Sequence, residues 1–391
     1  MFGLVVIGLC MTVAILGFLI TPDSTPDAND QLLELSKRPP GFSVQMLQTR
    51  KNEPQHNVNF LTKMIWGEVS NFRSIPFSEY HFEGNDIVVR EYTGDEKRIG
   101  TEIKYNLADV VYAINYNTQI ENNVTEGYTE FYEFGSSQKV RKNIKELQAE
   151  VEKNYIITKK YILGTDPAGR DLLSRLIIGT RISFSVGFIS VFISILIGVL
   201  MGALAGFYRG RVDDIIVWFI NVVWSIPTLL LVIAITLALG KGFWQVFIAV
   251  GLTMWVEVAR VIRGQILSLR EKEFVEAGRA LGFKNRRIIW RHVLPNVLGP
   301  VIVISAANFA SAILTEAGLS FLGIGAQPPT ASWGAMINAY RGYIIGDESF
   351  AYLAILPGLA IVLMVLAFVL LGNGLRDALD AKAIDEDQVM F

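Results

Sequence analysis

Three groups of ionisable and polar residues in this chain could bear function, and none has the make-up of a catalytic centre. The first is Glu276-Ala-Gly-Arg-Ala-Leu-Gly282, followed by a basic stretch from Phe283 to Arg291 and by His292-Val-Leu-Pro-Asn296. The second is Asp166-Pro-Ala-Gly-Arg170-Asp171, with Arg175 one helical turn further on. The third is Glu316, isolated in an apolar run, with Ser320 four residues later and Trp333 beyond. Carboxylates spaced with arginines suit clamping and gripping, and a carboxylate stranded among apolar groups suits a pathway or a tie between helices. Covalent catalysis needs a Ser/His/Asp or Cys/His grouping, and the single Cys10 and the scattered His56, His81 and His292 supply neither that nor a metal cluster. No Gly-x-x-x-x-Gly-Lys-Ser/Thr loop is present, so the chain has no phosphate cradle of that kind.

Each group needs an element to hold it. Phe274 to Leu281 are mostly good helix formers, and Ala277, Gly278 and Ala280 leave a smooth surface for another backbone to approach. Gly282 stands where a helix end favours the left-handed conformation, with Phe283 placed to fold back over the last turn. A second, basic helix is expected next. Lys284, Arg286, Arg287 and Arg291 would hold it at an anionic membrane face, before Pro295 begins another apolar run. On these features alone an ordinary loop between membrane helices fits as well. Asp166 is expected to cap a helix starting at Pro167, with Arg170 and Arg175 at a membrane interface. Glu316 lies at a depth where an ionised group is costly, so it reads either as a pathway or gate residue, with Ser320 and Trp333, or as a tie between two helices.

A composition of 51% hydrophobic and 18% charged residues makes membrane residence the default. The net charge of -2 gives no reason to expect nucleic acid, and one cysteine excludes an internal disulfide framework. Residues 1–21 hold a first span, uncharged from 2 to 20; a cleaved signal peptide is the competitor, but nothing basic precedes Phe2. Further spans are expected at about 184–207, 215–239, 243–262, 297–325 and 352–372. In the first of these Gly198, Gly202 and Gly206 recur every fourth residue, which lets two helices touch backbone to backbone. Pro227 is expected to kink the second, and Glu257 to pair with Arg260 as the third leaves the bilayer. Residues 377–391 form a mixed-charge tail.

Residues 22–162 differ in kind, being polar and charged on both signs. Ile87–Tyr92, Glu102–Tyr105 and Val110–Tyr116 read as strands broken by turns at Gly84-Asn-Asp86 and Gly94-Asp95. Gln138–Tyr155 reads as one charged helix with Val140, Ile144, Leu147 and Val151 on one face. Residues 22–60 read as an extended arm. The sequon Asn123-Val-Thr125 is taken as a chance match.

The first group resembles the EAA loop of permease subunits of ATP-binding-cassette importers. Gly278 stands where that pattern has alanine and His292 where it has isoleucine. The His-Val-Leu-Pro-Asn ending is similar to the dipeptide/oligopeptide/nickel branch. So are Leu163-Gly-Thr-Asp166-Pro-Ala-Gly169-Arg170-Asp171, Glu316-Ala-Gly-Leu-Ser320-Phe-Leu-Gly-Ile-Gly325 and Gln327-Pro-Pro-Thr-Ala-Ser-Trp333-Gly334, which carry the likeness from about Leu163 almost to the end. The resemblance implies an all-α inner-membrane permease of six transmembrane helices, here with an α+β extracytoplasmic insertion between helices 1 and 2. It implies a transport subunit and no enzyme, coupled to its motor through Glu276, Ala277, Gly278, Gly282, His292, Leu294 and Pro295. Asp166, Gly169, Arg170 and Asp171 would lie at the external mouth. The implied partners are a second homologous permease, two cytoplasmic ATPase subunits that hold the ATP and magnesium, an extracytoplasmic solute-binding protein and membrane lipid. No cofactor is expected in this chain.

Charge sets the orientation. Nine Lys/Arg fall between Arg260 and Arg291, whereas the 240–242 turn and the 326–350 loop carry one each. The 264–296 loop is therefore expected inside, with both termini, and residues 22–162 outside. The rival reading is a membrane-anchored binding or sensory module acting through residues 22–160.

Overall fold

A computed structural model describes the chain except for residues 95–97, 116–119, 124–126, 137, 241, 347 and 389–391. It forms two compact units, one of Met1–Ile15 with Leu176–Phe391 and one of Leu16–Arg175. The first helix, α1 (Phe2–Ile20), is uncharged throughout.

The Leu16–Arg175 unit is an α+β domain. Five antiparallel strands, β1 (Phe42–Arg50), β2 (Phe72–Glu83), β3 (Asp86–Glu91), β4 (Glu102–Asn106) and, last in the chain, β8 (Ile156–Tyr161), lie in the order β4-β3-β2-β1-β8. Between β1 and β2 comes a short helix, α2 (Phe60–Trp66), and after β4 comes α3 (Leu107–Val111). A second sheet joins β5 (Glu121–Asn123), β6 (Tyr128–Tyr132) and β7 (Lys139–Asn143), and leads into α4 (Ile144–Glu150). Strand alternation puts Leu47, Ile75, Phe77, Ile87 and Val89 on one face of the large sheet, where they bury against Leu107 and Val110 of α3 and Leu147 of α4. Val44, Met46 and Tyr161 face the other way and pack on Leu35.

Three expectations for this domain are corrected. Val110 belongs to a helix, because Asn106 caps it by accepting the Ala108 N–H at 3.0 Å and so turns the chain out of β4. Gln138–Tyr155 is not one helix: Val140 pairs with Phe131 in the sheet, and Asn143 starts α4 by accepting the Lys145 N–H at 2.9 Å. Residues 22–60 are not all an arm, since β1 sits between β2 and β8. The strands at 86–91 and 102–106 lie where the alternation predicts them. Asp95, Tyr116 and the sequon residues Val124 and Thr125 fall outside the described residues, as does Lys241.

The other unit is helical. Its long helices are α5 (Leu172–Tyr208), α6 (Gly210–Trp224), α7 (Thr228–Leu239) and α8 (Phe243–Leu269). Then come α9 (Glu273–Ala280), α10 (Asn285–Ile288), α11 (Leu298–Phe321), α12 (Trp333–Tyr340), α13 (Gly342–Gly346) and α14 (Tyr352–Gln388). Among the described residues five helices are long and apolar enough to cross a membrane, or six if α6 and α7 count as one broken span. At 37 residues α5 is about 55 Å long, well over the roughly 30 Å of a bilayer's hydrocarbon core.

Pro227 does more than kink its helix. The segment breaks by 91° between α6 and α7. Proline removes an N–H and disfavours the helical conformation of Ile226 before it, so the ladder restarts only with the Leu231 N–H bonded to the Pro227 carbonyl. The glycine ladder lies as the spacing predicts. A Cβ on Gly198, Gly202 or Gly206 would come within 2.8, 2.6 and 2.9 Å of the Trp255, Ala259 and Arg263 carbonyl oxygens, so α5 and α8 are in backbone contact over about two turns. The expected Glu257–Arg260 pair is absent. Arg260 lies over the Trp224 ring at 3.6 Å and donates to Asn221, while Arg263 grips Asp213 of α6 with two bonds of 2.6 and 2.7 Å. For Arg260 the Asn221 amide and the Trp224 ring, both on α6, outcompete an intrahelical pair exposed to solvent.

Candidate functional site

The Glu276 motif folds as a helix, a turn and a basic segment. Lys272 is the N-cap of α9, and Glu273 and Glu276 fall in its first turn, where the helix dipole favours negative charge. The helix ends at Gly282 with φ +75. The Phe283 N–H bonds the Gly278 carbonyl at 3.0 Å and the Gly282 N–H bonds Arg279 at 2.9 Å, the paired bonds of a Schellman motif. Phe283 folds back over the last turn, as its position predicts, and supports two further groups. The Arg287 guanidinium lies 4.0 Å from its ring centroid, and the His292 ring stacks on it at 6.0 Å and 11°. The second helix is shorter than expected: α10 gives way to a wide turn over Ile289–Val293 and a tight one over Leu294–Val297, because Pro295 cannot continue the ladder.

Burial divides the motif into two sides. Val275, Ile288, Ile289 and Val293 lie in one apolar cluster with Ala203 and Phe207 of α5, Ile262 and Ile266 of α8, and Val301 of α11; Leu294 packs against it. Glu276, Ala277 and Ala280 remain exposed, as does Pro295. Among the described residues the Glu276 carboxylate has no hydrogen bond or ion pair. Gly278 faces inward instead of outward: a Cβ there would sit 3.6 Å from Ile288 and Phe283, in ordinary contact, so the smooth outer surface is made by the two alanines alone.

The Asp166 motif is a clamp. The helix does not begin at Pro167. Asp166 Oδ1 accepts the Ala168 and Arg170 N–H groups at 2.8 and 3.0 Å, which curls the chain into a turn, and Oδ2 accepts Arg170 Nε at 2.6 Å. The cap of α5 is Asp171, whose Oδ2 accepts both the N–H of Ser174, at 2.8 Å, and its hydroxyl. Burial pushes the Asp171 carboxyl up, and the two Ser174 bonds oppose that. The segment after α1, which carries short 3-10 turns at Pro26–Ala28 and Leu33–Leu35, is strapped to this turn. Asp23 N–H donates to Ser174 Oγ at 2.9 Å, Ser36 Oγ to the Pro167 carbonyl at 2.9 Å, and Arg38 N–H to Thr165 Oγ1 at 2.8 Å.

Gly169 is where this strap comes closest. It has φ +74, and a Cβ would lie 1.7 Å from the Leu32 carbonyl oxygen. Gly169→Ala combines a left-handed non-glycine residue with a backbone clash, and is expected to destabilise the protein by about 3 kcal/mol or more. Thermal unfolding in detergent would show it as a lowered Tm, and an unchanged Tm would mean that the strap is not held there.

Glu316 is buried, with 2% exposure. Its Oε1 accepts Ser320 Oγ at 2.6 Å and Ser332 Oγ at 3.0 Å. Ser320 Oγ also accepts the Ala326 N–H at 3.2 Å, and Ser332 caps α12. Trp333, also buried, donates from Nε1 to the Leu176 carbonyl at 2.9 Å and lies against Gly179. A Cβ on Gly334 would come within 2.6 Å of the Ala317 carbonyl oxygen, so α12 seats directly on α11. The three residues thus meet in one knot joining α5, α11 and α12. Sequence reasoning did not find Ser332, whose role depends on a chain reversal 16 residues after Glu316. A cleft of 250 Å³ opens elsewhere, at the bend between α6 and α7, lined by Trp224, Thr228, Thr253, Glu257, Ser311 and Thr315.

Residues 194–385 match the family model described as a binding-protein-dependent transport system inner membrane component. The glutathione transport system permease protein GsiD of Pectobacterium atrosepticum is 43% identical over 220 residues, which are 56% of this chain and 72% of the relative. The chain belongs to this permease family. The dipeptide transport system permease protein DppC of Alkalihalophilus pseudofirmus is 41% identical over 219 residues, 56% of this chain and 71% of that one. A structure of the MetNI methionine ABC transporter in an inward-facing conformation aligns with a TM-score of 0.44 at 18% identity, over 53% of the permease and 97% of that chain. Membership of this family, with the glutathione and dipeptide permeases as relatives, makes the permease a multi-pass inner-membrane transport subunit of an ATP-driven importer, and no enzyme. Membership implies ATPase and solute-binding partners. The rival reading, an anchored sensory or binding module, finds no support in these relatives.

Proposed function

We propose that the permease forms half of a peptide translocation pathway and receives its driving force through residues 276–295. The glutathione and dipeptide permeases named above support peptides as the solute class. The observation that carries the mechanical part is the two-sided burial of the motif. Its outer side offers an unpaired carboxylate and two alanines, while its inner side is keyed into the feet of α5, α8 and α11. A push on α9 is thereby applied to three spans at once, because a close-packed cluster transmits displacement with little compliance.

In this reading α6 and α7 count as one broken span, which gives six. A second, homologous permease completes the pathway, two ATPase subunits hold the ATP and magnesium, and an external binding protein delivers the solute. The cleft at the α6/α7 bend, with Glu257 and the hydroxyls of Thr228, Ser311 and Thr315, is the surface we assign to the pathway. Glu316, Ser320 and Trp333 act at its end by holding α12 on α11 and α5. Asp166, Gly169, Arg170 and Asp171 shape the external mouth by clamping the start of α5. Both termini and the 264–296 loop lie in the cytoplasm and residues 22–162 outside, following the basic residues of the loop.

Labelling tests this arrangement. In a Cys10→Ser background, Arg287→Cys is expected to react with a membrane-impermeant maleimide only after spheroplasts are lysed, and Lys145→Cys in intact spheroplasts. Labelling of Arg287→Cys from outside would invert the topology and remove the coupling role with it.

A further inference from the structure

We infer that α2, the short helix between β1 and β2, is an interfacial anchor whose apolar side inserts into the outer layer of the bilayer at the end of α1. Nothing in the transport mechanism uses α2, and none of its residues is buried within the chain. Phe60, Leu61, Ile65 and Trp66 are 66, 64, 40 and 71% exposed. At about 100° per residue, Phe60, Leu61, Met64 and Ile65 fall on one arc of about 140°, with Lys63 about 60° and Trp66 about 100° outside it. Val58 and Val69, before and after α2 in the chain, are exposed as well. A contiguous patch of this kind marks a contact with a membrane or another protein.

Two observations favour the membrane. The first is position. Gly67, which ends α2, has φ +77, and a Cβ there would lie 2.6 Å from the Ser24 carbonyl oxygen and 3.1 Å from the ring of Phe18. The Glu68 N–H bonds that same Ser24 carbonyl at 2.9 Å. Phe18 is in the last turn of α1, an uncharged span long enough to cross a membrane, and Ile20 at its end is itself 49% exposed. The C-terminal end of α2 is thus seated on the last turn of a membrane helix. Phe60 is about 10 Å from Gly67 along the helix, comparable to the depth at which amphipathic helices sit in the headgroup region.

The second observation is that α2 is helical at all. Seven residues are far fewer than the roughly 12–15 needed for a helix to hold itself in water. In soluble proteins such a helix is held by burying one side, whereas here Phe60, Leu61 and Ile65 stay exposed and Met64 is only half-buried. Partition of an apolar side into the interface supplies that burial. The residue types agree: Phe60 with three unbranched or aliphatic apolar side chains on the arc, and off it one lysine, which pairs with Glu68 at 2.6 Å.

Spin labelling separates the possibilities. The full chain, with Cys10→Ser and one of Leu61→Cys, Ile65→Cys, Leu9→Cys or Lys145→Cys, is placed in nanodiscs of phosphatidylethanolamine and phosphatidylglycerol. Nitroxide accessibility to oxygen and to a water-soluble nickel chelate is then compared. Leu9, exposed on α1, reports lipid, and Lys145, exposed on α4, reports water. Labels at 61 and 65 are expected to follow position 9, with oxygen favoured over nickel. Nickel favoured as at position 145 would show a solvated helix, and shielding from both reagents would show a protein partner; either result overturns the proposal. None of these outcomes depends on which solute is carried or on how α9 meets its motor.

Discussion

Gly282→Pro is expected to leave the permease in the membrane at its normal level while lowering peptide uptake at least tenfold. Gly282 holds φ +75, a region closed to proline, whose ring fixes φ near −65°, and the substitution also removes the N–H that bonds the Arg279 carbonyl at 2.9 Å. The local penalty is about 3 kcal/mol or more, roughly a hundredfold against the formed turn. It falls on a segment between spans, so insertion should survive. Gly282→Ala is the graded control. No atom lies within 4 Å of the added Cβ, leaving only the left-handed backbone penalty of about 1–2 kcal/mol.

Glu276→Lys tests the other side of the same contact. The carboxylate is exposed and unpaired among the described residues, so its replacement should not disturb the fold. Reversing a charge that meets a partner loses about 2–5 kcal/mol of docking. Uptake of labelled peptide in proteoliposomes containing all the subunits should therefore collapse, while basal ATP hydrolysis persists. Normal uptake in both the Pro and the Lys variants would remove the coupling assignment.

Glu316→Ala is expected to lower the Tm and the amount of folded permease. It strips the acceptor from the Ser320 and Ser332 hydroxyls in a buried site, at a cost of about 1–3 kcal/mol for each donor left unpaired. Glu316→Gln keeps an acceptor oxygen in place and should retain most of the stability. Measuring uptake per folded molecule then separates two roles. If the Gln variant is stable and transports, Glu316 is a tie. If it is stable and does not transport, the carboxylate is needed for movement at the end of the pathway.

Much of this arrangement is local physics, and the sequence determined it. The apolar runs, the every-fourth glycines of α5 and the strands at 86–91 and 102–106 follow from periodicity. The end of α9 follows from one glycine and the phenylalanine after it, because a Schellman turn involves only neighbours in the chain. The resemblance carried by the same residues led to the permease family.

Tertiary structure decided what depends on residues far apart. Whether Pro227 bends a helix or breaks it by 91° depends on how α6 and α7 pack on α8, and the sequence contains only the proline. Arg260 chose the Trp224 ring and the Asn221 amide on α6 over Glu257 on its own helix, since a cation–π contact and a hydrogen bond to a neighbouring element outweigh an exposed intrahelical pair. Asp166 looked like a helix cap and proved to be the centre of a turn, because Arg170 and the strap at 32–38 satisfy it before the helix begins. Gly278 turned inward because its neighbours Ile288 and Phe283 fold back over it. Glu316 was visible as a buried carboxylate, but its second acceptor bond comes from Ser332, which only the reversal of the chain after α11 brings within reach.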